Sequence, residues 1–129
     1  MSSTLQGIRV LLIDDEAEFV NTLAERLELR GLVPQVAETG HDGLAMLEDS
    51  EFQVVLLDMM LPGMRGTDVL RKIRTSHQTL PVILLTGNAN AKDGIAGMKE
   101  GASAYLTKPV DLNELLRVVQ EMVQGEPRD

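Results

Sequence analysis

The chain has 129 residues, 43% of them hydrophobic, and 12 basic against 20 acidic residues give a net charge of −8. That length suits a single domain with a core of its own, and the sign of the charge excludes general binding to a phosphate backbone or an anionic membrane surface. There is no cysteine, so disulfides and thiolate-held metals are excluded; with no signal-peptide pattern and no run of ~18 apolar residues, the expected place is the cytoplasm.

Apolar runs alternate with helical patterns along the chain. Ile8 to Ile13, IRVLLI, reads as a strand buried on both faces, and Val20, Leu23, Ala24 and Leu27 then fall on one helical stripe that Gly31 ends. The second strand, LVPQVA, carries Pro34, which cannot donate to a ladder and so belongs at a sheet edge. Thr39 with Asp42 opens the second helix in capping-box fashion. QVVLLD, Gln53 to Asp58, is the clearest central strand, and a Pro62-Gly63 turn leads to the stripe Gly66, Val69, Leu70 and Ile73 of a third helix. PVILLT, Pro81 to Thr86, is the fourth buried run, followed by a fourth helix over about 89–100 that contains Gly94 and Gly97, each costing about 1 kcal/mol relative to alanine. SAYLT makes a fifth strand, and Asp111 with Glu114 caps a last helix with the stripe Leu112, Leu115, Leu116 and Val119. The pattern is βα five times over one domain, residues 1–129, with its core at about 8–123 and a tail at 124–129. Apolar strands separated by helices imply an α/β fold, a parallel sheet covered on both faces.

The polar residues that close these runs carry the chemistry. In an open parallel sheet, ligands bind beyond the carboxyl ends of the strands. The first strand ends in Asp14-Asp15, the third in Asp58 and the fourth in Thr86, and the fifth runs into Lys108. Clustered carboxylates in a partly buried site call for a cation, and Mg2+ prefers oxygen ligands. With a lysine ammonium beside it, such a site suits a phosphoryl group: Asp58 as nucleophile forming an aspartyl phosphate, Lys108 and the metal offsetting charge, and the Thr86 hydroxyl donating to an oxygen. Singly, each residue has a plainer reading. Acids suit a helix start, an aspartate often closes a strand as a turn residue, Thr86 could be the last β-branched strand residue, and Lys108 a solvated one. Their shared rim separates the two readings.

Taken in order, LLIDDE, VVLLDMMLPGMRG, VILLTG and AYLTKPVD resemble the receiver domain of two-component response regulators from about Ile8 to Val123. The resemblance implies a doubly wound, flavodoxin-like sheet in the order 2-1-3-4-5 and a signalling switch, not a metabolic enzyme. The phosphoryl group would come from a histidine kinase or phosphotransfer protein to Asp58. Asp15, Asp58 and the Met60 backbone carbonyl would ligate Mg2+ directly, and Asp14 through water. Thr86 and Tyr105 would form a switch pair, Lys108 would contact the phosphoryl group, and the Lys108-Pro109 peptide would be cis. Phosphorylation would reshape the face of helix four, strand five and helix five, read by an output domain or partner; this domain itself would contact neither nucleic acid nor membrane.

Some positions depart from the commonest family pattern. Arg65 replaces the usual capping residue of helix three. Ser103 and Ala104 stand where the DNA-binding, winged-helix branch often carries two acids of its dimer face, and Asn88 lies near the site mouth. A haloacid-dehalogenase-type phosphatase would place its nucleophile in a D-x-D pattern on strand one, where this chain has D-D-E, and the acids after strand one would repel a flavin phosphate. A non-phosphorylated docking module would not need the acid, threonine and lysine set. His41 and His77 are isolated and read as surface or helix-end residues, and Met59 as core filler.

Overall fold

The apolar runs become the strands of one parallel sheet in the computed structural model, which describes residues 5–87 and 91–124. In chain order the elements are β1 (Arg9–Ile13), α1 (Ala17–Leu29), β2 (Val33–Ala37), α2 (Gly40–Asp49), β3 (Val54–Asp58), β4 (Met60–Leu61), β5 (Met64–Arg65), α3 (Gly66–Ser76), β6 (Val82–Thr86), α4 (Ala91–Lys99), β7 (Ala104–Thr107) and α5 (Leu112–Gln124). The five-stranded sheet runs β2-β1-β3-β6-β7, all parallel, which is the expected 2-1-3-4-5 order once the β4–β5 hairpin is set aside. That hairpin was not foreseen. Its antiparallel pairs are Met60 with Arg65 and Leu61 with Met64, and Gly63 turns it at φ +75°, the positive φ that follows proline in a type II turn.

Successive strand residues point to opposite faces of a sheet, and both faces here are apolar. Val10, Leu12, Val54, Leu56, Ile83 and Leu85 join the stripes of α1 and α5 in one core cluster. Leu11, Ile13, Val55, Leu57, Val82 and Leu84 join Leu47, Val69, Leu70 and Ile73 of α2 and α3 in the other. Double coverage explains why β3 and β6 read as unbroken apolar runs, whereas β2, with Pro34, stands at the edge and keeps alternate residues exposed.

The helix ends follow their local chemistry. Thr39 accepts a hydrogen bond from the Asp42 amide at 3.0 Å, and Asp111 accepts from the Asn113 and Glu114 amides at 2.9 and 3.3 Å. Gly31, at φ +95°, closes α1; its amide donates to the Glu28 carbonyl, and the Leu32 amide to the Leu27 carbonyl, the paired bonds of a Schellman end. Arg65 provides no side-chain cap for α3. The Gly66 amide donates instead to the Met59 carbonyl at 2.9 Å, which seats the start of α3 on the backbone just past β3. The start of the expected fourth helix, with Asn88, and the tail from residue 125 lie outside the described residues.

That seat has no room for a side chain. A Cβ at Gly66 would lie 2.6 Å from the Asp58 carbonyl oxygen and 2.7 Å from the Met59 Cα, whereas one at Gly87 meets nothing within 4 Å. Gly66→Ala should lower stability by about 1–3 kcal/mol, the usual cost of overfilling, and Gly87→Ala should shift it by less than about 0.5 kcal/mol. Urea melts of the two variants check this, and equal midpoints would contradict it.

Candidate functional site

Backbone hydrogen bonds carry the ladder one residue past the ends of β1, β3 and β7. The amides of Asp14, Met59 and Lys108 donate to the carbonyls of Ala37, Leu85 and Thr86 at 3.0, 3.0 and 2.8 Å. Adjacent parallel strands therefore deliver Asp14, Asp58, Thr86 and Lys108 to one rim. Asp14, Asp58 and Thr86 are the buried polar residues of the described chain, at 1%, 3% and 0% exposure.

Lys108 joins the acids. Its Nζ is hydrogen-bonded to Glu16 Oε1, lies 2.9 Å from Asp14 Oδ2 and 3.5 Å from Asp58 Oδ1, and stands 4.6 Å from the centre of the Phe19 ring, a cation–π approach. The Lys108-Pro109 peptide that leads away from it is cis. Burial acts to lower the pKa of this ammonium, but the hydrogen bonds to Glu16 and Asp14 and the charges of Asp58 and Asp14 outweigh it and hold the pKa above the ordinary lysine value. Asp58 is pushed the other way, up to about 6, first by burial and then by the Asp14 charge; Lys108 and the Met60 amide only partly offset this. The Met60 amide donates to Asp58 Oδ1 at 3.3 Å, and Asp14 Oδ1 accepts from the Glu16 amide at 2.9 Å.

Carboxylate oxygens of Asp14, Glu16 and Asp58 lie within 4.8 Å of one another. Asp14 Oδ2 is buried, and the Lys108 ammonium lies 2.9 Å from it. Crowded, largely buried carboxylates fit a hard, oxygen-preferring cation such as Mg2+. Asp15 is exposed and is not in this cluster; Glu16 occupies it instead. Met60 begins β4 two residues after Asp58 and is 73% exposed.

The remaining candidates fall nearby. Tyr105, 38% exposed, lies on β7 beside the strand that ends in Thr86, and its ring covers Gly94 of α4, where a Cβ would come within 2.4 Å of it. Gly97 likewise leaves space for Leu84, so both glycines serve close contact between helix and sheet. Ser103 holds the start of β7, its Oγ accepting from the Val82 amide at 3.1 Å. His41 is exposed and His77 ends α3, while Met59 is buried. Glu16 and Phe19 were given no role by the sequence; the only signal for Glu16 was its place among the acids after β1.

Residues 10–120 match the family described as the response regulator receiver domain. The chain is similar to the transcriptional regulatory protein CpxR of Klebsiella pneumoniae, with 38% identity over 116 residues, 90% of this chain and 49% of that protein. It is similar also to the transcriptional regulatory protein TcrA of Mycobacterium tuberculosis, with 32% identity over 123 residues, 95% and 49% of the two chains. It thus spans about half the length of the curated relatives it matches. Among solved structures, a CheY-like receiver domain protein of Methanospirillum hungatei superposes with a TM-score of 0.85 at 31% identity, covering 92% of this chain and 94% of that one.

The raised Asp58 pKa has a consequence for stability. Between its ordinary value of 3.8 and about 6, the unfolded state releases this proton and the folded state keeps it, so stability falls as pH rises through that window. In metal-free buffer, Asp58→Asn should be more stable than the wild type above pH ~6, by about 1–3 kcal/mol, and the gain should shrink toward pH ~4. Chemical denaturation across this range checks it; a gain that stays constant with pH would contradict it.

Proposed function

The chain belongs to the response regulator receiver family, signalling domains of two-component systems that switch with phosphorylation, and on that premise we propose that Asp58 is the phosphoacceptor. A sensor histidine kinase or phosphotransfer protein presents a phosphohistidine. An Asp58 carboxylate oxygen attacks the phosphorus, the new O–P bond forms as the N–P bond breaks, and the imidazole nitrogen keeps the electron pair. The observation that carries this reading is the setting of Asp58: it is buried at the end of a central strand with Asp14 and the Lys108 ammonium beside it.

Residue roles follow from that placement. Lys108 offsets charge on the transferred group, and Thr86, on the neighbouring strand, turns its hydroxyl toward a phosphoryl oxygen. Asp15, Asp58 and the Met60 carbonyl would hold Mg2+ directly, with Asp14 acting through water; the ion would supply charge compensation for the carboxylates and the phosphoryl oxygens. Water attack on the aspartyl phosphate resets the domain, which thus catalyses only its own phosphorylation and dephosphorylation, in the cytoplasm.

The signal leaves through the face of α4, β7 and α5. Movement of Thr86 opens space behind β6, and Tyr105 turns inward from its place over Gly94. The longer relatives are named transcriptional regulatory proteins, which favours an output that reads DNA in the full-length protein, with no nucleic acid touching this domain.

A small acyl phosphate with Mg2+ should add one phosphoryl group to the wild type by intact mass and none to Asp58→Asn. Asp15→Asn should need a much higher Mg2+ concentration for the same labelling. Undiminished labelling of Asp58→Asn would place the acceptor elsewhere, and a wild type that never labels would favour a docking module that works without phosphorylation.

A further inference from the structure

Resting on the reading of Lys108 and Asp58 above, we propose that Glu16 is a positioning residue that holds the Lys108 ammonium off Asp58 and so restrains phosphoryl transfer. An ammonium has three donors. Here Nζ is hydrogen-bonded to Glu16 and lies 2.9 Å from Asp14, whereas Asp58, at 3.5 Å, lies beyond the usual N–H···O range of 2.7–3.2 Å. The lysine is thus committed to the β1 side of the crevice, away from the residue it serves.

Of the acids around Lys108, Glu16 is the displaceable one. The Asp14 side chain is 1% exposed and that of Asp58 5%, whereas that of Glu16 is 60% exposed. Asp14 is also fixed by the Glu16 amide, and Glu16 begins α1 without using its own side chain as a cap. A solvated carboxylate on a free side chain makes a weak, exchangeable ion pair. When a phosphoryl group brings new negative oxygens to Asp58, Lys108 can leave Glu16 for them, and Glu16 returns to water. In the resting domain the same contact competes with Asp58 for the ammonium. The three-acid cluster is then a lysine holder on its Glu16 side, distinct from a metal position.

The test measures acyl-phosphate labelling rates at saturating Mg2+ for wild type, Glu16→Gln, Lys108→Ala and the double variant, together with the Lys108 side-chain NMR resonances at one fixed pH. Glu16→Gln should label about two- to fivefold faster than wild type, the range of an exposed ion pair, and should displace the Lys108 resonances. In the Lys108→Ala background the same substitution should change nothing. Slower labelling of Glu16→Gln, as expected of a metal ligand, would overturn the proposal. So would equal acceleration in both backgrounds, which marks simple repulsion of the anionic donor, and so would unmoved Lys108 resonances, whether or not the protein labels. A wild type that fails to label while its Lys108 resonances respond to Glu16→Gln would sink the phosphoacceptor reading and leave the Glu16–Lys108 contact standing.

Discussion

The Lys108 ammonium lies among the carboxylates of Asp14, Glu16 and Asp58, and the carboxyl rim is organised around that contact. Two buried acids and one exposed acid around a single base leave negative charge uncompensated, and burial followed by the Asp14 charge raises the Asp58 pKa to about 6. Such crowding costs folding free energy. It persists because the strands fix their ends to one another by backbone hydrogen bonds that the side chains cannot undo. The sheet thus holds the ends that carry Asp14 and Asp58 together.

The same rigidity limits where a signal can go. Arg74 donates to the carbonyls of Gly101, His77 and Leu80 at 2.9, 2.9 and 2.7 Å, and Arg71 reaches both Glu100 oxygens at 3.2 Å, so the C-terminal end of α4 is tied to α3. Nearer its other end, Gly94 leaves room for the Tyr105 ring of β7 to lie against the helix. That approach joins Thr86, Tyr105 and α4 in the route proposed for the switch.

The sheet was legible in the sequence because strands covered on both faces must be apolar throughout, as VVLLD and VILLT are. The rim residues were legible for the same reason, since each polar residue stands where an apolar run stops. The β4–β5 hairpin was not, because two-residue strands carry no period. Nor was the pairing of Glu16 with Lys108. That depends on a local turn, in which Asp14 accepts from the Glu16 amide, and on a lysine 92 positions away. Gly94 and Gly97 read as weak points of a helix; their fit to Tyr105 and Leu84 comes from strands whose neighbourhood no local pattern encodes.

On the proposed route, charge placed on Asp58 reaches α4, β7 and α5 through Thr86. Amide hydrogen exchange with Mg2+, in the presence and absence of beryllofluoride, measures this most directly. Beyond the site loops, the largest changes in protection should fall on α4, β7 and α5. Changes concentrated on α1 and α2, or no difference on adding beryllofluoride, would contradict it.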